Sequence, residues 1–329
     1  MKHKGYEHLD QYLSKYDKFI VSTHESPDWD GLGASIAFND FLKHMGKQSI
    51  IIISDPPPDN YSYIDSDREI NIISAEYELP PDITEYAQFV LDTNDFDNIG
   101  NAYTLLKNRV RDYFIIDHHE GGADKVQQNI IKADASSACE IVYSIIKEYS
   151  APLTLKAARA LFAGVIFDTG SFRYPKTSPY TFQMGADLVQ AGANPFEIYE
   201  QIYEQNTLAS FALRGRILST METFHSGRMI AMKLTPDMLE ETGATFYEGE
   251  TSINLPLTVA GVVASLLVKQ DFTGPVKVSM RTKGDLDVAE LAMKNSGGGH
   301  KNAAGYKSKL GFDETYKKAV EDMSRFFKD

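Results

Sequence analysis

The chain has 329 residues, 43% of them hydrophobic and 24% charged, which is typical of a globular protein that is long enough for two hydrophobic cores. Its formal net charge of -13 argues against binding of long duplex nucleic acid, which requires a broad basic face. No apolar run approaches the length of a membrane span, and a single cysteine rules out an intramolecular disulfide. The N-terminus lacks the apolar core of a signal peptide, so we expect a cytoplasmic protein without membrane contacts.

The first half of the chain shows the pattern of a parallel sheet with helical crossovers. Short apolar runs with little polar alternation predict buried strands at 19–22, 49–54, 89–92 and 113–117. Between the first two, 33–46 has helical spacing and ends at a glycine, which implies a right-handed crossover. Two further helices are predicted over 135–149 and 153–170.

The second half predicts a helical connector followed by a second domain. The pattern from 179 to 221 is mainly helical, with a break at 192–195. The alternating runs 228–234 and 275–282 predict half-buried strands, and 258–270 predicts a helix between them. We therefore expect a first domain over 1–188, a connector over 189–222 and a second domain over 223–329; the family resemblance described below implies a catalytic role for the first and a substrate-binding role for the second.

Acidic and histidine residues follow the predicted strands and one helix at their carboxyl ends. They are His24, Asp28, Asp30, Asp92, Asp117, His118, His119 and Asp168. Alone, each has an ordinary structural explanation, since aspartates cap helices or form turns and histidines are common on surfaces. In open parallel sheets, however, ligands bind outside the carboxyl ends of the strands. A shared site explains the whole set better than separate structural roles do.

Several carboxylates that converge at one edge repel one another unless a cation neutralises them. A mixed set of imidazole and carboxylate ligands suits Mn²⁺, while Co²⁺, Fe²⁺ and Zn²⁺ are compatible and Mg²⁺ or Ca²⁺ fit less well. With this many ligands, two divalent metal ions that share a bridging carboxylate are favoured over one ion.

The ordered motifs resemble a known family. His24-x3-Asp28-x-Asp30, then Asp92, then 117–119 (Asp-His-His), then 168–170 (Asp-Thr-Gly), resemble the four-motif signature of the DHH phosphoesterases. The run 297–305 (GGGHKNAAG) resembles the DHHA1 domain that accompanies it. The resemblance implies an α/β fold with an N-terminal Rossmann-like parallel-sheet DHH domain and a smaller C-terminal α/β DHHA1 domain with a mixed sheet. Length and arrangement look most like the bacterial oligoribonuclease (nanoRNase) and 3′-phosphoadenosine-5′-phosphate phosphatase subgroup.

The resemblance also implies roles for individual residues. One ion would be held by His24 and Asp28, the other by Asp30, His118 and Asp168, with Asp92 as the bridge. Asp117 would orient His118, either as a partner outside the ligand set or as a weaker ligand, and His119 would face the substrate phosphate. In the second domain, the residues implied to bind the nucleotide end of the substrate are Ser279, Arg281, Gly297, Gly298, Gly299 and His300.

The glycine run has its own physical interpretation. Successive glycines can direct backbone N–H groups at one anion as a nest, and the surrounding segment 276–309 carries more cations than carboxylates. Three positions depart from the family pattern: Trp29 and Ser296 replace glycines, and Asn98 replaces an arginine. For Trp29 we favour packing over stacking on a base.

The expected function is a metal-dependent phosphohydrolase that cleaves very short RNA oligonucleotides, or 3′-phosphoadenosine 5′-phosphate to AMP and phosphate, by two-metal activated water. The expected partners are such oligonucleotides or small adenine nucleotides. The alternatives are a phosphodiesterase of cyclic di-AMP or linear pApA and, from another class, a nucleotide-sensing module without activity. A homodimer is compatible with the sequence, although no motif indicates it.

Overall fold

The computed structural model describes residues 3–57, 60–74, 77–120 and 129–327. The chain divides into two compact units, Met1–Gln205 and Asn206–Asp329, and the division falls within the segment 189–222. Among the described residues, no helix is long and apolar enough to cross a membrane.

The first unit contains a six-stranded parallel sheet in the order β3-β2-β1-β4-β5-β6. Its strands are β1 (Lys18–Ser22), β2 (Gln48–Ile53), β3 (Ile70–Ile72), β4 (Ala87–Leu91), β5 (Tyr113–Asp117) and β6 (Asn129–Ile131). The four strands predicted from apolar runs are therefore confirmed. Residues of β1, β4 and β5 are buried on both faces, which explains why these segments carry almost no polar alternation.

Helices surround this sheet. They are α1 (Glu7–Lys15), α2 (Trp29–His44), α3 (Asn101–Leu106), α4 (Ala138–Glu148), α5 (Leu155–Asp168), α6 (Pro179–Gln190) and α7 (Pro195–Tyr203). The helices predicted over 33–46, 135–149 and 153–170 are confirmed by α2, α4 and α5. Helix α2 ends at His44, and Gly46 follows with φ +75°, as a glycine stop requires.

Helices α2, α4 and α5 pack closely because glycines remove side chains from their contacts. A Cβ atom on Gly33 would lie 2.3 Å from the carbonyl oxygen of Ala160. A Cβ atom on Gly164 would lie 2.3 Å from Cys139 Sγ and 2.9 Å from Asp30 Oδ1. The packing of these three helices therefore fixes the position of Asp30 at the start of α2.

The second unit contains a mixed sheet in the order β11-β12-β10-β9-β8-β7, in which only the pair β8–β9 is parallel among the described residues. Its helices are α8 (Leu208–Ser219), α9 (Pro236–Thr242), α10 (Val288–Lys294) and α11 (Phe312–Ser324). Its strands are β7 (Glu222–Phe224), β8 (Met229–Leu234), β9 (Ala264–Lys269), β10 (Lys277–Thr282), β11 (Gly298–His300) and β12 (Ala303–Lys307).

The prediction of a helix over 258–270 is wrong. This segment contains strand β9, which lies between β8 and β10, and it follows a 3-10 segment at Tyr247–Thr258. All six residues of β9 are buried. An apolar run that is buried on both faces has no alternation to distinguish it from a buried helix.

Different helices cover the two faces of this sheet. One face, which includes Val278 and Met280, packs on residues of α10 and α11. On the other face, Ile230, Met232 and Leu267 pack beneath α8, α9 and the 3-10 segment. The polar positions of β10 alternate with its buried ones and lie on this second face.

We predict that Gly33→Ala lowers the free energy of unfolding by about 1–3 kcal/mol, because the new methyl group overpacks the contact between α2 and α5. Gly215→Ala in α8 is the matched control, since nothing lies within 4 Å of its Cβ position. That control should gain about 0.5–1 kcal/mol from helix propensity. Urea denaturation measures both values. A Gly33→Ala protein as stable as the wild type would contradict this packing argument.

Candidate active site

The loop after β1 places His24 and Asp28 beside each other. Asp28 is the N-cap of α2, and its Oδ1 accepts hydrogen bonds from the backbone N–H groups of Asp30 (2.9 Å) and Gly31 (3.1 Å). His24 Nε2 lies 3.8 Å from Asp28 Oδ1 and 3.5 Å from Asp92 Oδ2. His24 Nδ1 donates to the carbonyl oxygen of Glu25 at 2.8 Å, so Nε2 is the nitrogen that faces the two carboxylates and would bind a metal ion in place of a proton.

Asp30 is fully buried and does not cap its own helix. Its Oδ2 accepts from the backbone N–H of Ala138 (2.7 Å) and its Oδ1 from that of Cys139 (3.0 Å), which are the first two residues of α4. The N-terminus of a helix carries unpaired N–H groups and a partial positive charge, so it stabilises a carboxylate there. This contact holds Asp30 rigidly at the floor of the site.

His118 lies at the centre of a second group. Its Nε2 is 3.3 Å from Asp92 Oδ1, 3.4 Å from Asp168 Oδ2 and 3.9 Å from Asp30 Oδ2. Asp168 is the last residue of α5, and His118 directly follows β5. The first half of the chain thus brings residues of all four motifs together.

Asp92 takes part in the contacts of both groups. It follows β4 and adopts a left-handed backbone conformation with φ 60°, which is uncommon for a residue other than glycine. Its two carboxylate oxygens face different histidines, Oδ2 facing His24 and Oδ1 facing His118. This geometry places one carboxylate between two groups of potential ligands.

The prediction that Asp117 orients His118 is corrected by the structure. Asp117 is fully buried, and its Oδ1 lies 2.8 Å from Nδ1 of His119. His119 is 58% exposed in its side chain, and this pairing directs its Nε2 away from Asp117.

The site is electrostatically crowded. Burial and the neighbouring carboxylates of Asp92 and Asp168 raise the pKa of Asp30 well above its usual range. Burial also raises the pKa of Asp168 to about 6, although His118 opposes the shift. In the absence of a cation, carboxylates this close together bind protons more readily, because protonation removes the repulsion between their negative charges.

The neighbouring carboxylates also raise the pKa values of the three histidines. Burial alone would lower the pKa of His24, but the carboxylates of Asp28 and Asp92 outweigh it and raise the pKa to about 11. Burial likewise opposes the carboxylates of Asp92 and Asp30, which raise the pKa of His118 to about 9. The hydrogen bond to Asp117 raises the pKa of His119, against a smaller effect of burial.

The donor set fits divalent metal ions. Among the residues that the structure describes, three groups have ligand atoms within 4.8 Å of one another: His24 with Asp28 and Asp92, Asp30 with His118 and Asp168, and Asp92 with His118 and His119. Within the described part of the chain, the buried Oδ1 of Asp92 makes no hydrogen bond, although His118 Nε2 lies 3.3 Å away. A buried carboxylate oxygen without a hydrogen bond is unfavourable, and a cation between the groups would satisfy it.

Four of the substrate-binding positions predicted in the second unit lie on one face of its sheet, namely Ser279, Arg281, Gly298 and His300, whereas Gly299 is in register with the opposite face and Gly297 precedes β11. Arg281 of β10 is opposite Ala303 of β12, which is opposite His300 of β11. In the next row, Ser279 is opposite Gly305, which is opposite Gly298. Directly opposed residues direct their side chains to the same face, so the structure brings Arg281 and His300 to one face.

The prediction that the glycine run forms a nest is wrong. Gly298 and Gly299 belong to edge strand β11, and the N–H of Gly297 donates to the carbonyl of Ala292 at 2.9 Å. A Cβ atom on Gly297 would lie 2.2 Å from the carbonyl oxygen of Gly305, and one on Gly299 would lie 2.5 Å from that of Ala303. Close pairing with β12 therefore requires these glycines.

The sequence missed two contacts of the site. Lys176 Nζ donates to the backbone carbonyl of His118 at 3.2 Å, and no motif signals that lysine. The sequence indicates the start of α4 only through Ser137, whose side chain caps the helix, and it does not indicate that the first N–H groups of α4 bind Asp30. Trp29 is 4% exposed and packs in the core of the first unit, as we favoured.

Comparisons with known proteins agree with these motifs. The model of the DHH family, N-terminal domain, matches residues 18–165, and that of the DHHA1 domain matches residues 250–329. The chain is 27% identical to the bifunctional oligoribonuclease and PAP phosphatase NrnA of Thermus thermophilus over 303 residues, which are 92% of this chain and 87% of that protein. It is also 27% identical to NrnA of Bacillus subtilis, covering 89% of this chain and 90% of that protein.

Two further comparisons extend this picture. The cyclic-di-AMP phosphodiesterase GdpP of Geobacillus thermodenitrificans is 25% identical over 97% of this chain, which spans 49% of that relative. The crystal structure of an exopolyphosphatase-related protein from Bacteroides fragilis has the same fold, with a TM-score of 0.88 at 24% identity, covering 97% of this chain and 95% of that one. The chain is therefore a member of the DHH phosphoesterases with a DHHA1 domain in its second half.

Proposed function

We propose that this phosphoesterase hydrolyses very short RNA oligonucleotides and 3′-phosphoadenosine 5′-phosphate with two divalent metal ions, Mn²⁺ foremost. The observation that carries the proposal is Asp92, whose two carboxylate oxygens face separate ligand groups. His24 and Asp28 would hold one ion, and Asp30, His118 and Asp168 the other. Imidazole nitrogen together with carboxylate oxygen is a donor set that suits Mn²⁺ better than Mg²⁺ or Ca²⁺.

Two bound divalent ions supply an activated water and neutralise phosphoryl oxygens in a phosphate ester hydrolysis. The protein positions their ligands rigidly: helix α4 holds Asp30, and the N-cap geometry of α2 holds Asp28. Burial of Asp92 and Asp30 keeps bulk water from solvating these carboxylates. Their negative charge is thereby reserved for the cations.

His119 serves as the proton donor in this proposal. Its Nδ1 pairs with buried Asp117, and the pairing raises its pKa, which favours the imidazolium form. The exposed Nε2–H can then donate to a phosphoryl oxygen or to the leaving oxygen of the substrate. Asp117 acts through His119 by fixing its ring orientation and its charge.

The second unit supplies groups for the rest of the substrate. Arg281 and His300 present a guanidinium and an imidazole from one row, and in the neighbouring row Gly298 and Gly305 lack side chains beside Ser279. A guanidinium recognises phosphate in bidentate fashion, and the flat glycine row leaves room for a sugar or base. The names of the NrnA relatives support short RNA and PAP as substrates.

A phosphodiesterase acting on cyclic di-AMP or on linear pApA is the second candidate, supported by the relatives named cyclic-di-AMP phosphodiesterases. These substrates present the same adenylate and phosphodiester groups to the site. A nucleotide-sensing module without activity is the candidate from another class. The complete set of ligands in the first unit favours catalysis over sensing.

A substrate panel tests the proposal. With Mn²⁺, we expect turnover of diadenylate and of 3′-phosphoadenosine 5′-phosphate, measured as released AMP, and little hydrolysis of pyrophosphate. Asp92→Asn should lower turnover by more than ~100-fold, which is the upper end of the loss when a residue that only supports a metal ligand is replaced. Asp313→Asn, an exposed position on α11, is the control. Hydrolysis of cyclic di-AMP alone would favour the second candidate, and tight nucleotide binding without any turnover would indicate a sensor.

The role of His119 gives a pH prediction. Because Asp117 raises the pKa of His119, Asp117→Asn should lower that pKa and move the alkaline limb of the profile of kcat against pH to lower pH. His119→Ala should lower kcat by about 10²–10⁴-fold, as loss of a general acid does, and retain its metal content. An alkaline limb that does not move in Asp117→Asn would refute the pairing as a functional one.

A further inference from the structure

A cavity of about 450 Å³ lies in the second unit, on its mixed sheet beside the row of Ser279. Its lining includes three lysines, Lys269, Lys277 and Lys307, together with Ser279 and Ser296. Among the described residues that line it, none is a carboxylate. A concave site with cationic and hydroxyl donors and no acidic group has the chemistry of an anion site.

The three lysines stand in one row across three strands. Lys277 of β10 is opposite Lys269 of β9 on one side and opposite Lys307 of β12 on the other. Residues opposed in this way direct their side chains to the same face, and like charges in such pairs destabilise a sheet. The three lysines therefore repel one another in the folded chain, and neutral residues at these positions would not.

Only part of that repulsion is offset within the chain. Lys269 is buried and pairs with Glu250 at 2.5 Å. The ammonium groups of Lys269 and Lys277 lie 5.5 and 5.0 Å from the ring of Phe246. Within the described ranges, neither Lys277 nor Lys307 has a carboxylate partner. Two positive charges thus face the cavity without a counter-charge.

Ser296 lines the cavity at the C-terminal end of α10, where the N–H of Gly297 donates to the carbonyl of Ala292. It adopts φ 59°, a left-handed conformation that is costly for serine and free for glycine. The residues that follow it in the chain are glycines, and this position departs from the family's glycine pattern. Its hydroxyl group adds a donor to the lining of the cavity.

We propose that this cavity binds a second phosphate group of an oligonucleotide, separate from the group that Arg281 and His300 hold; the inference rests on the proposed function. Lys277 and Arg281 are four residues apart on one strand, which corresponds to about 14 Å. Two phosphates on a single ribose are too close together to reach both places. An oligonucleotide of several residues can, so the lysine row selects oligonucleotides over 3′-phosphoadenosine 5′-phosphate.

Binding to the full chain in the presence of a chelator tests the subsite without cleavage. The probes are fluorescent tetra-adenylate and, by competition, 3′-phosphoadenosine 5′-phosphate. We expect Lys277→Gln/Lys307→Gln to weaken tetra-adenylate binding about tenfold or more, as lost charged hydrogen bonds do. The same variant should leave the affinity for 3′-phosphoadenosine 5′-phosphate within about twofold. The slope of log K against log salt should shrink by about 0.7 per lost phosphate contact.

The control is Lys107→Gln/Lys317→Gln, which removes the same charge from two exposed positions. A structural role is tested by stability: the lysine-row variant and Ser296→Gly should melt at or above the wild-type temperature, because repulsion and strain are relieved. The proposal would be overturned if the lysine-row variant lost the same affinity for both probes, or if its affinity for tetra-adenylate were unchanged. So would a wild-type protein that does not bind tetra-adenylate.

The two proposals fail in different ways. If no nucleotide is hydrolysed with metal but tetra-adenylate binding still depends on Lys277 and Lys307, the proposed function fails and the subsite stands. If diadenylate is hydrolysed while the variant binds tetra-adenylate like the wild type, the subsite alone fails.

Discussion

The structure depends on three carboxylates around the imidazole of His118, those of Asp30 and Asp92, which are buried, and that of Asp168, which is half-buried. Such a group is unfavourable without a cation, since each negative charge raises the pKa of its neighbours. The rest of the first unit holds the group in place despite this repulsion. The parallel sheet brings the carboxyl ends of β1, β4 and β5 to one edge, and α5 delivers Asp168.

Local packing converts that arrangement into a site with defined roles. Glycines at 33 and 164 let α2, α4 and α5 approach, and the N-terminus of α4 holds the carboxylate of Asp30. Asp28 combines the N-cap of α2 with a position beside His24, so a helix cap and a metal ligand are compatible in one residue. Asp92 completes the arrangement in a left-handed conformation that keeps its two oxygens on different histidines.

Much of this was predictable from the sequence, for physical reasons that also mark the limits. Strands β1, β2, β4 and β5 are apolar runs between turns, and the edge where parallel strands end is a general binding place, so the convergence of His24, Asp92 and His118 followed. Strand β9 was mistaken for a helix because burial on both faces removes periodicity. The partner of Asp117 and the α4 contact of Asp30 depend on tertiary geometry, the latter between residues 108 apart. The glycine run was interpreted as a nest because the sequence does not show that it pairs with β12 as an edge strand.

Anomalous X-ray diffraction at the manganese edge, from crystals grown with Mn²⁺, tests the central claim most directly. The account predicts two peaks in the first unit. One peak should contact His24 and Asp28, the other should contact Asp30, His118 and Asp168, and both should contact Asp92. A single peak, or peaks that do not contact Asp92, would contradict the claim that this carboxylate is shared by two metal ions.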